Sequence, residues 1–154
     1  MEKKELINKG YGKNFQDHLL EQYKLYVESA NKISSRRDSA NHFYLTLNSA
    51  LFAISGYLSL LNKQSFIYLI IPIVGIIISF NWLKTVTSYS NLNSGKFKVI
   101  HELEQSLPAK LFYYEWETIG KGKTKEYVPI SNVERGVPKS FIGMYVLIII
   151  FLLL

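Results

Sequence analysis

The sequence predicts an all-α membrane protein: a two-span helical hairpin with cytoplasmic helical extensions and a third, C-terminal span. Three observations carry that class. Apolar residues make up 48% of the 154, an ordinary share, yet they gather into uninterrupted runs. Residues 43–61 and 66–83 hold no charge, while 1–41 and 84–140 hold nearly all of it. A soluble core is assembled from periodic stripes, whereas continuous uncharged runs of about 20 residues suit a helix crossing hydrocarbon. Finally, lysine and arginine lie almost wholly outside the runs, with only Lys63 between the first two.

The N-terminal segment "MEKKELINKGYGKNFQDHLL" is charged and polar, with no apolar core and no small-residue cleavage pattern. It does not read as a signal peptide, so the first span is expected to act as its own insertion signal. Residues 14–41 read as one helix, because Phe15, Leu19, Tyr23, Tyr26, Val27, Ala30 and Ile33 recur at three- and four-residue steps. Nothing breaks the pattern before Phe43, so this helix is expected to run straight into the first span. Its stripe is left to pack on the helix that leaves the second span, or on another subunit.

The first span, "FYLTLNSALFAISGYLSLL", carries Thr46, Asn48, Ser49, Ser55, Gly56 and Ser59. Small and polar residues at such spacings mark helix–helix packing in lipid, or else the lining of a passage. Only "NKQS" separates it from the second span, which forces a tight antiparallel hairpin. That second span, "FIYLIIPIVGIIISFNWL", contains Pro72 and Gly75, read as a kink, with Asn81 near its cytoplasmic end. A helix is expected to continue from about Lys84 to Ser106 on Val86, Tyr89, Leu92, Phe97, Ile100 and Leu103, stopped by Leu107-Pro108. The aromatic cluster Phe112, Tyr113, Tyr114 and Trp116 is assigned either to the headgroup level or to a small cytoplasmic core. Residues 141–154 close the chain as the third span; counted from Pro138 it reaches 17 residues, the short end of the spanning range.

These elements divide the chain into a cytoplasmic N-terminal helix (1–41), a transmembrane hairpin (42–84), a cytoplasmic helix with an aromatic and basic segment (85–138) and the third span (139–154). The excess of lysine and arginine flanking the hairpin places the N-terminus and the middle segment in the cytoplasm, with the hairpin turn outside. The formal charge of +6 is read as basic loops facing anionic headgroups and not as a nucleic-acid surface.

Chemistry-bearing patterns are few. With no cysteine, disulfides, thiol catalysis and cysteine metal sites are excluded. "GKGKT" lacks the glycine a phosphate-binding loop needs, since position 117 is Glu, and "HELEQ" has Gln105 where a zinc-protease helix has its second histidine. The aspartates are only Asp17 and Asp38, so no Ser/His/Asp set can be nominated. No enzyme and no cofactor are expected. The basic tip Lys121, Lys123 and Lys125 is assigned to lipid contact, or to docking an unknown protein partner. His42, at the membrane border, is the candidate pH sensor.

The stretches "YKLYVESANKISSRRDSANHFYLTLNSAL" at that border, "LNSGKFKVIHELEQSLP" and "YEWETIGKGKTKEYVPISNVERGVP" together resemble the RipA-like family of small bacterial inner-membrane proteins, whose inner-membrane location is then expected here. The likeness implies a homo-oligomer, an octamer, linked to stress or intracellular adaptation, and brings no catalytic residue. The architecture is also similar to SLATT effectors of bacterial nucleotide-signalling and anti-phage systems, although the third span departs from them. The resulting expectation is a ring-forming scaffold in which Arg36, Arg37, Asp38 and Asn48 make subunit contacts. The alternative is a membrane-disrupting effector whose passage is lined by Thr46, Asn48, Ser55 and Asn81.

Overall fold

The computed structural model describes residues 6–8, 10–60, 67–122 and 127–153. The described chain contains four α-helices: α1 (Phe15–Leu60), α2 (Ile67–Leu103), α3 (Leu111–Thr118) and α4 (Ile130–Leu153). Short 3₁₀ turns occupy Glu104–Ser106 and Gly120–Gly122. The cytoplasmic helix and first span expected from the sequence are one continuous helix of 46 residues. In the same way α2 runs unbroken through Pro72 for 37 residues and ends just before Leu107-Pro108. The expected hairpin turn at 62–65 lies outside the described residues.

The last helix is longer than the sequence suggested. It starts at Ile130, so Pro138 sits inside it, buried, and not at its beginning. Two helical stretches, Tyr68–Ser106 and Ile130–Leu153, are long and apolar enough to cross a membrane. Only 28% and 17% of their apolar windows are buried within the chain, unlike the core helix of a soluble protein. The outward residues of α2 and α4 include Ile73, Ile77, Phe80, Leu147, Ile150 and Phe151, all exposed.

The chain divides into two compact units. One comprises Met1–Ser34 with Asn91–Val128, the other Ser35–Ser90 with Pro129–Leu154. In the first, the predicted stripe of α1 faces inward: Leu19 and Ala30 are buried, and Phe15, Tyr23, Tyr26, Val27 and Ile33 are half-buried. It meets the far end of α2, where Ile100 and Leu103 are buried. Lys96 Nζ bonds Ser29 Oγ at 2.8 Å and lies 4.5 Å from the ring centre of Tyr26. Phe112 packs edge-on against Phe97 and Tyr113 against His101, whereas the ring of Tyr114 is exposed.

In the second unit, α1 and α2 run antiparallel and α4 closes on both. The inward face of α2 is Pro72, Gly75, Ser79, Trp82, Val86 and Ser90, all buried at three- and four-residue steps. Small residues on that face bring the helices close, the usual source of cohesion in lipid. Gly75 is the closest point. A Cβ there would overlap the ring of the fully buried Tyr145, at Cζ, Cε2 and Cε1. We predict that Gly75→Ala destabilises the protein by about 1–3 kcal/mol, the usual cost of overpacking. Gly95→Ala, at a helical glycine whose added Cβ meets nothing within 4 Å, should be neutral or gain up to about 1 kcal/mol. Thermal unfolding of both variants in detergent checks the contrast; equal effects would refute it.

Candidate functional site at the membrane border

The stretch from Asn31 to Phe52 turns from charged to apolar within one helix, and its side chains divide by face. Arg37, Asn41, Tyr44 and Asn48 point inward, at steps of three and four. Arg36, Asp38, Ser39, His42, Thr46 and Ser49 are exposed. The two faces do different work.

On the inward face Arg37 Nε lies 3.2 Å from Glu134 Oε2 of α4, with side chains only 15% and 20% exposed. Neither atom has a directed hydrogen-bond partner, so the contact is an ion pair and not an aligned N–H···O bond. Partial burial makes the attraction count for more than on an open surface, and leaves either partner costly to orphan. The next residue, Arg135, reaches Ser90 Oγ of α2 through Nη2 at 3.4 Å and its own helix at Ser131 O through Nε at 3.1 Å. Consecutive residues of α4 thus tie it to α1 and to α2.

Deeper in, Trp82 Nε1 donates to Asn41 Oδ1 at 2.8 Å, and its ring stacks on Tyr44 at 6.1 Å and 10°. Asn48 then joins all three helices. Its amide donates to Tyr44 O at 2.9 Å, its Oδ1 accepts from Ser79 Oγ at 2.8 Å, and its carbonyl accepts from the Tyr145 phenol at 3.0 Å. Asn48, Ser79 and Tyr145 are all fully buried. A buried polar atom needs an internal partner, and here the partners come from three helices.

The exposed face is barely engaged within the chain. Asp38 Oδ1 is 3.6 Å from His42 Nε2, both side chains being about three-quarters exposed (72% and 75%). Of the residues named for a passage, Thr46 and Asn81 are exposed, while Asn48 is buried and Ser55 half-buried. Lys121 is drawn to Glu117 at 2.9 Å in a left-handed turn, Gly120 to Gly122, in which all three φ angles are positive. That pair lowers the Glu117 pKa and raises that of Lys121, chiefly through their hydrogen bond. Lys123 and Lys125 lie outside the described residues. Among the described residues no group of three His, Cys, Asp or Glu could hold a metal ion.

The first unit holds a residue that sequence reasoning passed over. Glu104, inside the "HELEQ" rejected as a zinc motif, is fully buried. Its Oε1 accepts from Phe112 N at 2.9 Å and from the Tyr23 phenol at 3.0 Å, and its Oε2 from Tyr113 N at 2.9 Å. Lys110, which precedes α3, offers no side-chain cap. A carboxylate seven residues upstream of α3 therefore satisfies the free amides at its N-terminus, where negative charge is favoured. Burial, then the hydrogen bond and charge of Glu104, push the Tyr23 phenol from 10.0 up to about 12.

Compared with known proteins, residues 20–154 match the profile of the octameric membrane protein family (8xMP). No curated protein and no solved structure matches the chain.

Two predictions follow from these contacts. The folded Tyr23 phenol keeps its proton to higher pH than the unfolded one, so its contribution is complete below pH 10 and is lost as pH rises towards about 12. Tyr23→Phe should therefore lose less stability than wild type across that window; parallel alkaline unfolding curves would contradict the assignment. For the buried knot, Ser79→Ala should cost about 0.6 kcal/mol, the mean for a bond between helices in lipid, and Asn48→Leu more. Unfolding in sodium dodecyl sulfate reads both, and a neutral Asn48→Leu would sink the claim.

Proposed function

The chain belongs to the octameric membrane protein family, and from that premise we propose a non-enzymatic homo-oligomer of the bacterial inner membrane. Its copies, eight by the family's description, close a ring through the outward face of α1. The N-terminus is cytoplasmic, and residues 43–61 of the hairpin span the membrane beside the apolar stretches of α2 and α4. The role is that of a scaffold, with the link to stress or intracellular adaptation that the RipA-like resemblance implies. The basic tip around Lys121 faces anionic headgroups.

One observation carries this reading. One exposed stripe of α1, Ser39, His42, Thr46, Ser49 and Ala53, is small or polar and recurs at steps of three and four, beside the bulkier exposed Phe43, Leu45, Phe52, Ile54 and Tyr57. The outward faces of α2 and α4 are instead bulky and apolar. Bulky faces are at ease against acyl chains, which are as apolar as they are. A face of small residues gains most by meeting another helix at short range. Arg36 and Asp38, exposed beside the start of that face, pair across subunits, while Arg37 is held by Glu134 in its own chain.

The test is native mass spectrometry of the full chain released from detergent. Ala53→Leu and Asp38→Ala should shift the octamer towards smaller species, whereas Ile77→Ala, on the outward face of α2, should not. An unchanged assembly in both α1 variants would contradict the interface. A second reading draws on the same face: Thr46 and Ser49 turned to an open axis would line a pore. Membrane-potential dyes in expressing cells separate the two, since a scaffold leaves the potential intact and a pore collapses it.

A further inference from the structure

Beyond the Asn48 knot the three helices of the second unit part and enclose a cavity of about 390 Å³. It lies one turn from the knot on each helix. Phe52 follows Asn48 on α1, Ile71 precedes Gly75 on α2 and Ile148 follows Tyr145 on α4, and all three line it. The Phe52 ring packs edge-on against Tyr145 at 6.1 Å, so the knot forms its floor. Ser55, Tyr68 and Leu152 are also part of the wall, which is almost entirely apolar. The volume falls in the range of ligand-binding pockets.

We propose that this cavity binds one acyl chain of a membrane phospholipid. Water is a poor occupant, because a buried water needs two to four polar partners. The Tyr68 phenol is already committed to Leu58 O at 2.5 Å, and Ser55 Oγ is the only lining side-chain atom that is buried without a partner. A second copy is a poor occupant too. The α4 side of the cavity carries the bulky Phe151 and Leu152, whereas close helix approach in lipid needs small residues. Two of the walls, α2 and α4, are the stretches apolar enough to cross a membrane. The medium around them is therefore acyl chain, and a partly open apolar cavity in that medium fills with it. The Gly75–Tyr145 approach holds the helices together below and leaves the gap above.

The experiment uses the full chain reconstituted in phosphatidylethanolamine–phosphatidylglycerol vesicles. These contain a small fraction of phosphatidylglycerol bearing a diazirine on one acyl chain. After illumination, adducts are mapped by peptide mass spectrometry. The expected result is labelling of Ser55, Ile71 and Ile148 several-fold above that of the outward Ile73 and Ile77. Ser55→Leu and Ile148→Phe, which fill the space, should cut cavity labelling several-fold and leave the outward labelling unchanged. Should either variant fail to fold, the ratio in the wild-type chain still decides. Equal labelling of inner and outward positions would overturn the proposal. So would cavity adducts that persist in both filled variants, or crosslinks there that join two protein chains.

Discussion

Hydrocarbon offers no hydrogen bonds, so a helix that brings asparagine, serine and tyrosine into a membrane must supply partners for them from its neighbours. In the second unit those partners converge on Asn48. Ser79 and Tyr145 reach it from α2 and α4, and the approach of Tyr145 depends on the bare surface at Gly75, where its ring lies. Without that glycine the ring has no seat; without the ring, α4 loses its bond to α1. The ion pair between Arg37 and Glu134 and the reach of Arg135 to Ser90 add a second tie between the same helices.

The first unit uses the same economy in a different setting. Glu104 gathers three donors, from Tyr23, Phe112 and Tyr113, and so fixes the start of α3 against α1 and the end of α2. Each unit thus has one buried polar residue that several elements serve. Outside these contacts α1 carries an exposed stripe of small and polar side chains, Ser39, His42, Thr46, Ser49 and Ala53, beside exposed Phe43, Leu45, Phe52, Ile54 and Tyr57.

Much of the architecture was legible in the sequence because lipid imposes simple patterns. The uncharged runs from Phe66 and from Phe141 fall in the two helical stretches apolar enough to cross a membrane, whereas the run from Phe43 lies in α1, and the spacing from Phe15 to Ile33 gave the inward stripe of α1, every member of which is buried or half-buried. Contacts between residues distant in the chain were not legible. Arg37 was visible as a border charge, but nothing in its neighbourhood points to Glu134. Gly75 was read with Pro72 as a kink, although its use is to admit Tyr145, a residue unremarkable among the apolar ones around it. Glu104 was hidden inside a rejected metal motif, since a capping carboxylate seven residues from its helix has no local signature. The reach of α4 back to Ile130 was not legible, because the apolar run begins only at Phe141 and Pro138 lies in the helix interior.

The central claim, that the outward face of α1 joins the copies while the bulky faces of α2 and α4 meet lipid, is tested most directly by electron cryomicroscopy of the full chain in lipid nanodiscs. The account predicts eight copies around an axis, with Thr46, Ser49 and Ala53 at the contact between neighbours and Ile77 and Phe151 against acyl chains. A ring in which α1 faces the bilayer and α2 or α4 makes the subunit contact would contradict it.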